Sequence, residues 1–211
     1  MYALSVAQQS SNEGLNKSVH YQVGVGIATT NFSYPEPGYS NKPLFFVHSN
    51  VFLLKNITQR LDGRIGIAFE PVGYTTTVDL GNNQSYYNKI RLYYSNIQAM
   101  TGYRLNRAVK RIDIRLLTGV FVGRLLEQDI VSLLKPDDQI FKSRAVSTYR
   151  LWNGGISVGL SGSMTVKKNK AVGLKLSITP GLTNIFLPEA TQVTGIKRFT
   201  RSIDLSTFFN F

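Results

Sequence analysis

Apolar residues occupy alternate positions through long stretches of this chain. Val19, Tyr21, Val23, Val25 and Ile27 alternate with His20, Gln22, Gly24, Gly26 and Ala28. Successive side chains of a strand point to opposite faces, so such a stretch is a strand with one apolar and one polar face. The pattern recurs at Ile65, Ile67 and Phe69; at Ser95, Ile97, Ala99, Thr101 and Tyr103; and at Ile112, Ile114, Leu116, Thr118, Val120 and Val122. It returns at Ile156, Val158 and Leu160, at Val172, Leu174, Leu176 and Ile178, and at Ile203, Leu205, Thr207, Phe209 and Phe211. "LFFVHSNVFLL" (44–54) is apolar on both rows and leaves its facing open. Eight strands are expected, and helical periodicity is scarce.

The expected connections alternate in length. Residues 31–43, 71–88, 124–149 and 180–199 read as long loops; 55–63, 105–110 and 167–170 read as tight turns. An up-and-down barrel has this plan, with short turns at one end and long loops at the other. The polar rows decide what surrounds it. They are mostly Gly, Ser, Ala, Thr, Gln and Asn, which suit the crowded inside of an eight-stranded barrel. The aliphatic rows then face lipid, and Tyr21, Phe69, Tyr103, Phe209 and Phe211 fall where interfacial girdles belong. The expectation is an all-β fold: an eight-stranded antiparallel up-and-down transmembrane β-barrel over residues 19–211, resident in a bacterial outer membrane. Residues 1–18 form an N-terminal segment in which "SVAQQ" is like the cleavage site of a signal peptide.

Charge sharpens the picture. The 211 residues carry 24 Lys and Arg against 12 Asp and Glu, a net +12, with no cysteine. Thiol chemistry, disulfides and cysteine metal sites are therefore excluded. A basic chain invites nucleic acid, but an aliphatic row on nearly every strand leaves no exposed basic sheet face, so nucleic acid is not an expected partner. The polar rows hold Arg64, Glu70, Asp113, Arg115, Lys175 and Asp204, expected to pair as a charge network that closes the lumen. The short turns hold Lys55, Arg60, Arg104, Arg107, Lys110, Arg111, Lys167, Lys168 and Lys170, with Asp62 as their sole acid. These nine cations predict a basic periplasmic rim, suited to phospholipid headgroups or to an acidic partner.

Catalytic signals are thin. "VGVGIA" (23–28) lacks the third glycine and the helix of a dinucleotide fingerprint. His48 falls near the loop end of its strand, within expected reach of Asp79 or Glu70, and His20 lies near the opposite end; a lone rim histidine is a weak basis for a hydrolase or lipid-modifying site. Asp137 and Asp138 read as a solvated turn rather than a calcium site. No catalytic residue, metal or cofactor is predicted.

Several segments resemble the small outer-membrane β-barrel proteins of Bacteroidetes, the group that includes PorT-like proteins. "YYSNIQAMTGYRL" (93–105) is similar to that family's fourth strand, matching at Tyr94, Ile97 and Tyr103; Asn96 and Gln98 stand where the family usually has Glu and Pro. "LLTGVFVGRLL" (116–126) resembles its fifth strand, "GLTNIF" (181–186) its Gly-Leu-X-Asn-Ile segment, and "RSIDLSTFFNF" (201–211) its last strand. The resemblance spans residues 19–211. It implies an outer-membrane location and, from the terminal aromatics Phe209 and Phe211, a signal read by the barrel-assembly machinery. The expected function is a non-enzymatic structural or binding platform in contact with outer-membrane lipids, including lipopolysaccharide. The alternative is an accessory subunit of a secretion or outer-membrane assembly complex, bound to a periplasmic or outer-membrane protein.

Overall fold

Among the described residues the alternation is realised as nine strands. A computed structural model describes residues 19–32, 39–81, 84–106, 112–135, 139–143, 149–167, 170–185 and 198–211. The strands are β1 (Val19–Phe32), β2 (Tyr39–Asn56), β3 (Leu61–Gly81), β4 (Gln84–Arg104), β5 (Ile112–Lys135), β6 (Gln139–Ser143), β7 (Trp152–Lys167), β8 (Lys170–Pro180) and β9 (Thr200–Asn210). Eight of them make one antiparallel ring, in the order β4-β3-β2-β1-β9-β8-β7-β5, with β5 returning to β4. The ninth, β6, pairs with the far end of β5, from Ile130↔Ser143 to Leu134↔Gln139. The ring closes where β1 meets β9, from Gln22↔Asn210 to Phe32↔Thr200. Tyr21 and Phe211 extend that join with two backbone hydrogen bonds of 3.2 and 2.9 Å.

The facing follows the alternation. Val25 and Ile27 are more than half exposed, while Gln22 and Ala28 on the other row are 3% exposed. Ile65, Ile67, Ile97, Val120, Val158, Leu174 and Leu205 likewise point out of the ring. Aliphatic side chains outside and polar ones inside invert the arrangement of a barrel in water, and only lipid makes it favourable. The open facing of residues 44–54 is settled: Phe45, Val47, Val51 and Leu53 are exposed, whereas His48, Asn50, Phe52 and Leu54 are buried.

Aromatic side chains mark the limits of the lipid belt. At the short-turn end Tyr21, Tyr103, Phe209 and Phe211 are exposed on the outer wall. At the other end Phe69, Ser95, Arg124 and Trp152 lie in one register row across β3, β4, β5 and β7, and Phe69 stacks on Tyr93 with centroids 6.1 Å apart. From Leu61 to Phe69 is about 26 Å of strand at the usual rise, the scale of an outer-membrane belt.

Three expected loops are largely strand. Residues 71–81 and 84–88 continue β3 and β4 as a paired ladder up to Gly81↔Gln84. Tyr39–Pro43 pair with Tyr74–Val78, and residues 124–135 extend β5. These ladders rise beyond the belt, where no lipid enforces an apolar row, so alternation weakens although residues such as Thr75, Thr76 and Thr77 favour strands. In β5 a bulge also interrupts the phase: Leu125 opposes Tyr94 and Glu127 opposes Tyr93, leaving Leu126 over. Inward positions change from odd to even there, from Leu125 to Gln128 and Ser132.

Candidate functional site

The interior is filled at three levels, two polar and one apolar. At the short-turn end β3 and β5 bring their inward charges together. Asp62, 1% exposed, accepts hydrogen bonds from Arg64 Nε at 2.8 Å and Nη2 at 3.0 Å. A third comes from Arg115 Nη1. Arg115 also binds Asp113, through Nε at 2.8 Å and Nη2 at 2.7 Å. Arg104 completes the chain, with Nε 2.9 Å from Asp113 Oδ1. Gly102 makes room for this: a Cβ on it would lie 2.5 Å from Asp62 Oδ1. Phe52, Leu54, Met100 and Leu117 pack beside the charges as a small apolar cluster.

Further in, Glu70 accepts from Asn96 Nδ2 at 2.5 Å and Gln98 Nε2 at 2.6 Å. Asp204 accepts from Thr179 at 3.2 Å and from Ser177 and Ser202 at 3.4 Å. Lys175 is acted on electrostatically by both acids, and its Nζ stands 5.8 Å from the centroid of Phe52. Of the six lumen charges expected to pair, Arg64, Asp113 and Arg115 join through Asp62. Glu70, Lys175 and Asp204 form a separate polar level with amide and hydroxyl partners.

The far mouth is apolar. Val72, Tyr74, Ile90, Leu92, Tyr94, Leu125, Tyr149 and Ile185 make a buried cluster there. Ile185, 0% exposed, arrives from the β8–β9 connection. Its N–H donates to Arg198 O at 2.9 Å, and its carbonyl accepts from Arg150 N at 2.6 Å. Arg198 donates to the Tyr74 hydroxyl and covers that ring at 5.1 Å. Burial among these rings holds the Tyr149 phenol well above its ordinary range.

The nine rim cations divide. Lys55, Arg60, Lys167 and Lys170 are exposed at the short-turn end. Arg104 does not belong with them, because its strand phase turns it inward onto Asp113. Arg107, Lys110, Arg111 and Lys168 lie outside the described residues, as do Asp137 and Asp138 and the side chain of Asp79. His48 is not a rim residue either. It pairs with Gly26 in mid-strand, is 2% exposed, and feels Asp204 and Lys175. Among the described residues no three His, Asp or Glu converge as a metal site. Asp62, the hub of the network, reads in the sequence only as a turn acid. The alternation through Arg64 and Gly66, extended by one step, puts it on the inward row.

A closed antiparallel ring with an aliphatic exterior, two aromatic girdles and a polar, filled interior defines an outer-membrane β-barrel protein. No protein-family model and no curated protein matches the chain, whereas solved structures share its shape. A major outer membrane protein from Thermus thermophilus aligns with 92% of this chain and 100% of its own, at 10% identity and a TM-score of 0.51. Neisserial surface protein A aligns with 91% of this chain and 95% of its own, at 13% identity and a TM-score of 0.46. Ail, the attachment invasion locus protein of Yersinia pestis, aligns with 91% of this chain and 98% of its own, at 10% identity and a TM-score of 0.42. At 10% identity the Thermus thermophilus structure shares the fold and nothing beyond it.

Proposed function

We propose that the protein is a non-enzymatic platform of the bacterial outer membrane, binding at its two ends rather than passing solutes through its lumen. The observation that carries this reading is the doubly filled interior: the Asp62 network at one mouth and the Ile185 cluster at the other. An eight-stranded ring has little room to spare beyond these side chains. The ends remain. The short-turn end, taken as periplasmic, offers Lys55, Arg60 and Lys167 as exposed cations without an ion pair among the described residues. They form a collar for an acidic periplasmic partner or for anionic headgroups, each cation gaining about 1 kcal/mol near an anionic surface. Crosslinking in native membranes tests it with the variant Lys55→Gln/Arg60→Gln/Lys167→Gln. The expected result is a folded barrel that loses crosslinks to an acidic protein or anionic lipid, most clearly at low salt. Unchanged crosslinks at low and moderate salt would reduce the collar to a solvated rim.

A second reading, an accessory subunit of a secretion or assembly complex like the PorT-like barrels of Bacteroidetes, draws support from residues 181–185. Three of the four residues that carry the resemblance have a physical task. A Cβ on Gly181 would lie 2.3 Å from Thr200 Oγ1, Asn184 Oδ1 accepts from Arg198 N at 2.9 Å, and Ile185 fills the mouth. Co-purification of a stoichiometric partner from native membranes would favour this reading; purification of the barrel alone would count against it.

A further inference from the structure

The short-turn mouth contains a cavity of about 180 Å³ that the platform reading does not use. Its floor is the charge network, and its wall on β7 is a ladder of hydroxyls, Ser161, Ser163 and Thr165, on alternate residues of the inward row. Lys170 stands at its edge. Three cations (Arg64, Arg115 and Lys170) face two acids (Asp62 and Asp113), leaving one positive charge over. The acids are also the more fully occupied side. Three guanidinium N–H groups converge on Asp62, and Asp113 binds both Arg104 and Arg115. A guanidinium has five N–H donors. Arg64 uses three, two on Asp62 and one on Gln22 Oε1 at 3.3 Å. Arg115 uses Nε, Nη1 and Nη2 on the two acids. Each therefore keeps donors in hand. The three hydroxyls and the Lys170 ammonium make no side-chain hydrogen bond among the described residues. The cavity is thus rich in unused donors and has a net positive charge. Asn210 Oδ1, on its lining, is buried without a partner among the described residues and is an acceptor matched to the hydroxyl of a hydrogenphosphate.

We infer that this cavity binds a phosphate-class oxoanion: three or more acceptor oxygens take the spare N–H and O–H donors of Arg64, Arg115, Ser161, Ser163 and Lys170. The volume holds several waters, so it suits inorganic phosphate, a small phosphomonoester or the phosphate of a lipid headgroup, and excludes a nucleotide. Fixed donors around a multiply charged oxoanion give charge-assisted hydrogen bonds, and the apolar barrel wall weakens their screening. The collar plays no part in it, since Lys55, Arg60 and Lys167 do not line the cavity.

The test is a titration of the purified full chain with inorganic phosphate, followed by calorimetry and phosphorus NMR. It is run in nanodiscs of phosphatidylcholine and again in nanodiscs containing phosphatidylglycerol. Saturable binding of one phosphate per barrel is expected in the neutral lipid. Ser163→Asp, which adds a carboxylate across from Asp113, should weaken it at least tenfold. Ser161→Ala/Ser163→Ala, which leaves charge and network unchanged, should weaken it severalfold and guards against misfolding of the first variant. The collar variant Lys55→Gln/Arg60→Gln/Lys167→Gln should bind as the wild type, so the site and the collar fail separately. Weaker phosphate binding in phosphatidylglycerol discs assigns the site to a lipid headgroup, and equal binding assigns it to a free phosphate or ester. No saturable binding in the millimolar range, or binding unchanged in both serine variants, overturns the inference.

Discussion

Replacing Asp62 by Asn is the most direct test of how the lumen is held shut. The substitution keeps the side-chain shape and removes one charge. Arg115 keeps Asp113, which it reaches at 2.7 and 2.8 Å. Arg64 is left with Gln22 Oε1 at 3.3 Å and one amide oxygen, so the loss falls on a single guanidinium whose side chain is 5% exposed. Removing one partner of a buried ion pair typically costs about 3–5 kcal/mol, because the other charge is stranded. The adjoining cavity admits water and Asn still accepts a bond, so the expected cost is near the low end, about 3 kcal/mol. Two companions separate charge from shape. Gly102→Ala would put a Cβ 2.5 and 2.9 Å from the Asp62 oxygens and swing the carboxylate off Arg64; about 1–3 kcal/mol is expected, as for overpacking in a tight core. Asp62→Asn/Arg64→Met removes both ends of the pair, and it should be more stable than Asp62→Asn alone. Urea unfolding in lipid vesicles measures all three, with the single Trp152 as reporter; it is 58% exposed on the outer wall and reads the lipid directly. An Asp62→Asn midpoint within about 0.5 kcal/mol of wild type at unchanged slope would refute a closing role for the network.

Leu174 lies within the belt between outward Gly162 and Thr207, so Leu174→Arg finds no acidic partner there and should destabilise by about 2–4 kcal/mol in the same unfolding assay. With both mouths filled, planar-bilayer recordings should show no stable conductance, and steady porin-like currents would mean that the lumen is open. Ile185→Ala empties the centre of the far cluster; it should cost about 2–5 kcal/mol locally, read as faster amide exchange at Arg150 and Ile185 without loss of the ring.

The eight-stranded ring is legible because lipid imposes a strict rule on one row of every strand, and Val23–Ile27, Ile65–Phe69 and Leu174–Ile178 obey it. Residues 44–54 hide their facing because Phe52 and Leu54 pack inside against Met100 and Leu117, making both rows apolar. The ladders beyond Phe69 read as loops because no lipid patterns them, and the bulge at Leu126 breaks what alternation remains. Half of the charge network follows from strand phase. Its hub is missed although the phase extends to it, because Asp62 sits one residue into β3 after a turn and looks like turn chemistry. Arg104 reads as a rim residue for the same reason, at the end of β4. The level of Glu70, Lys175 and Asp204 is recognisable as inward, but its partners Asn96 and Gln98 come from a different strand, and pairing across strands is not written in any one of them.

The join between β1 and β9 governs how such a molecule can come into being. Thr207 Oγ1 donates to Val25 O at 3.3 Å across 182 residues of chain, so the circle is completed by the first and the last of its strands in chain order. Bringing them together costs loop-closure entropy before any of the seam's bonds repay it. Until they meet, two rows of backbone N–H and C=O groups stand bare, and hydrocarbon cannot solvate them. An unfinished sheet therefore has no resting place within the bilayer. Entry and closure are one event, and whatever catalyses it must shelter the edge of β1 or of β9 and let go only when the other arrives.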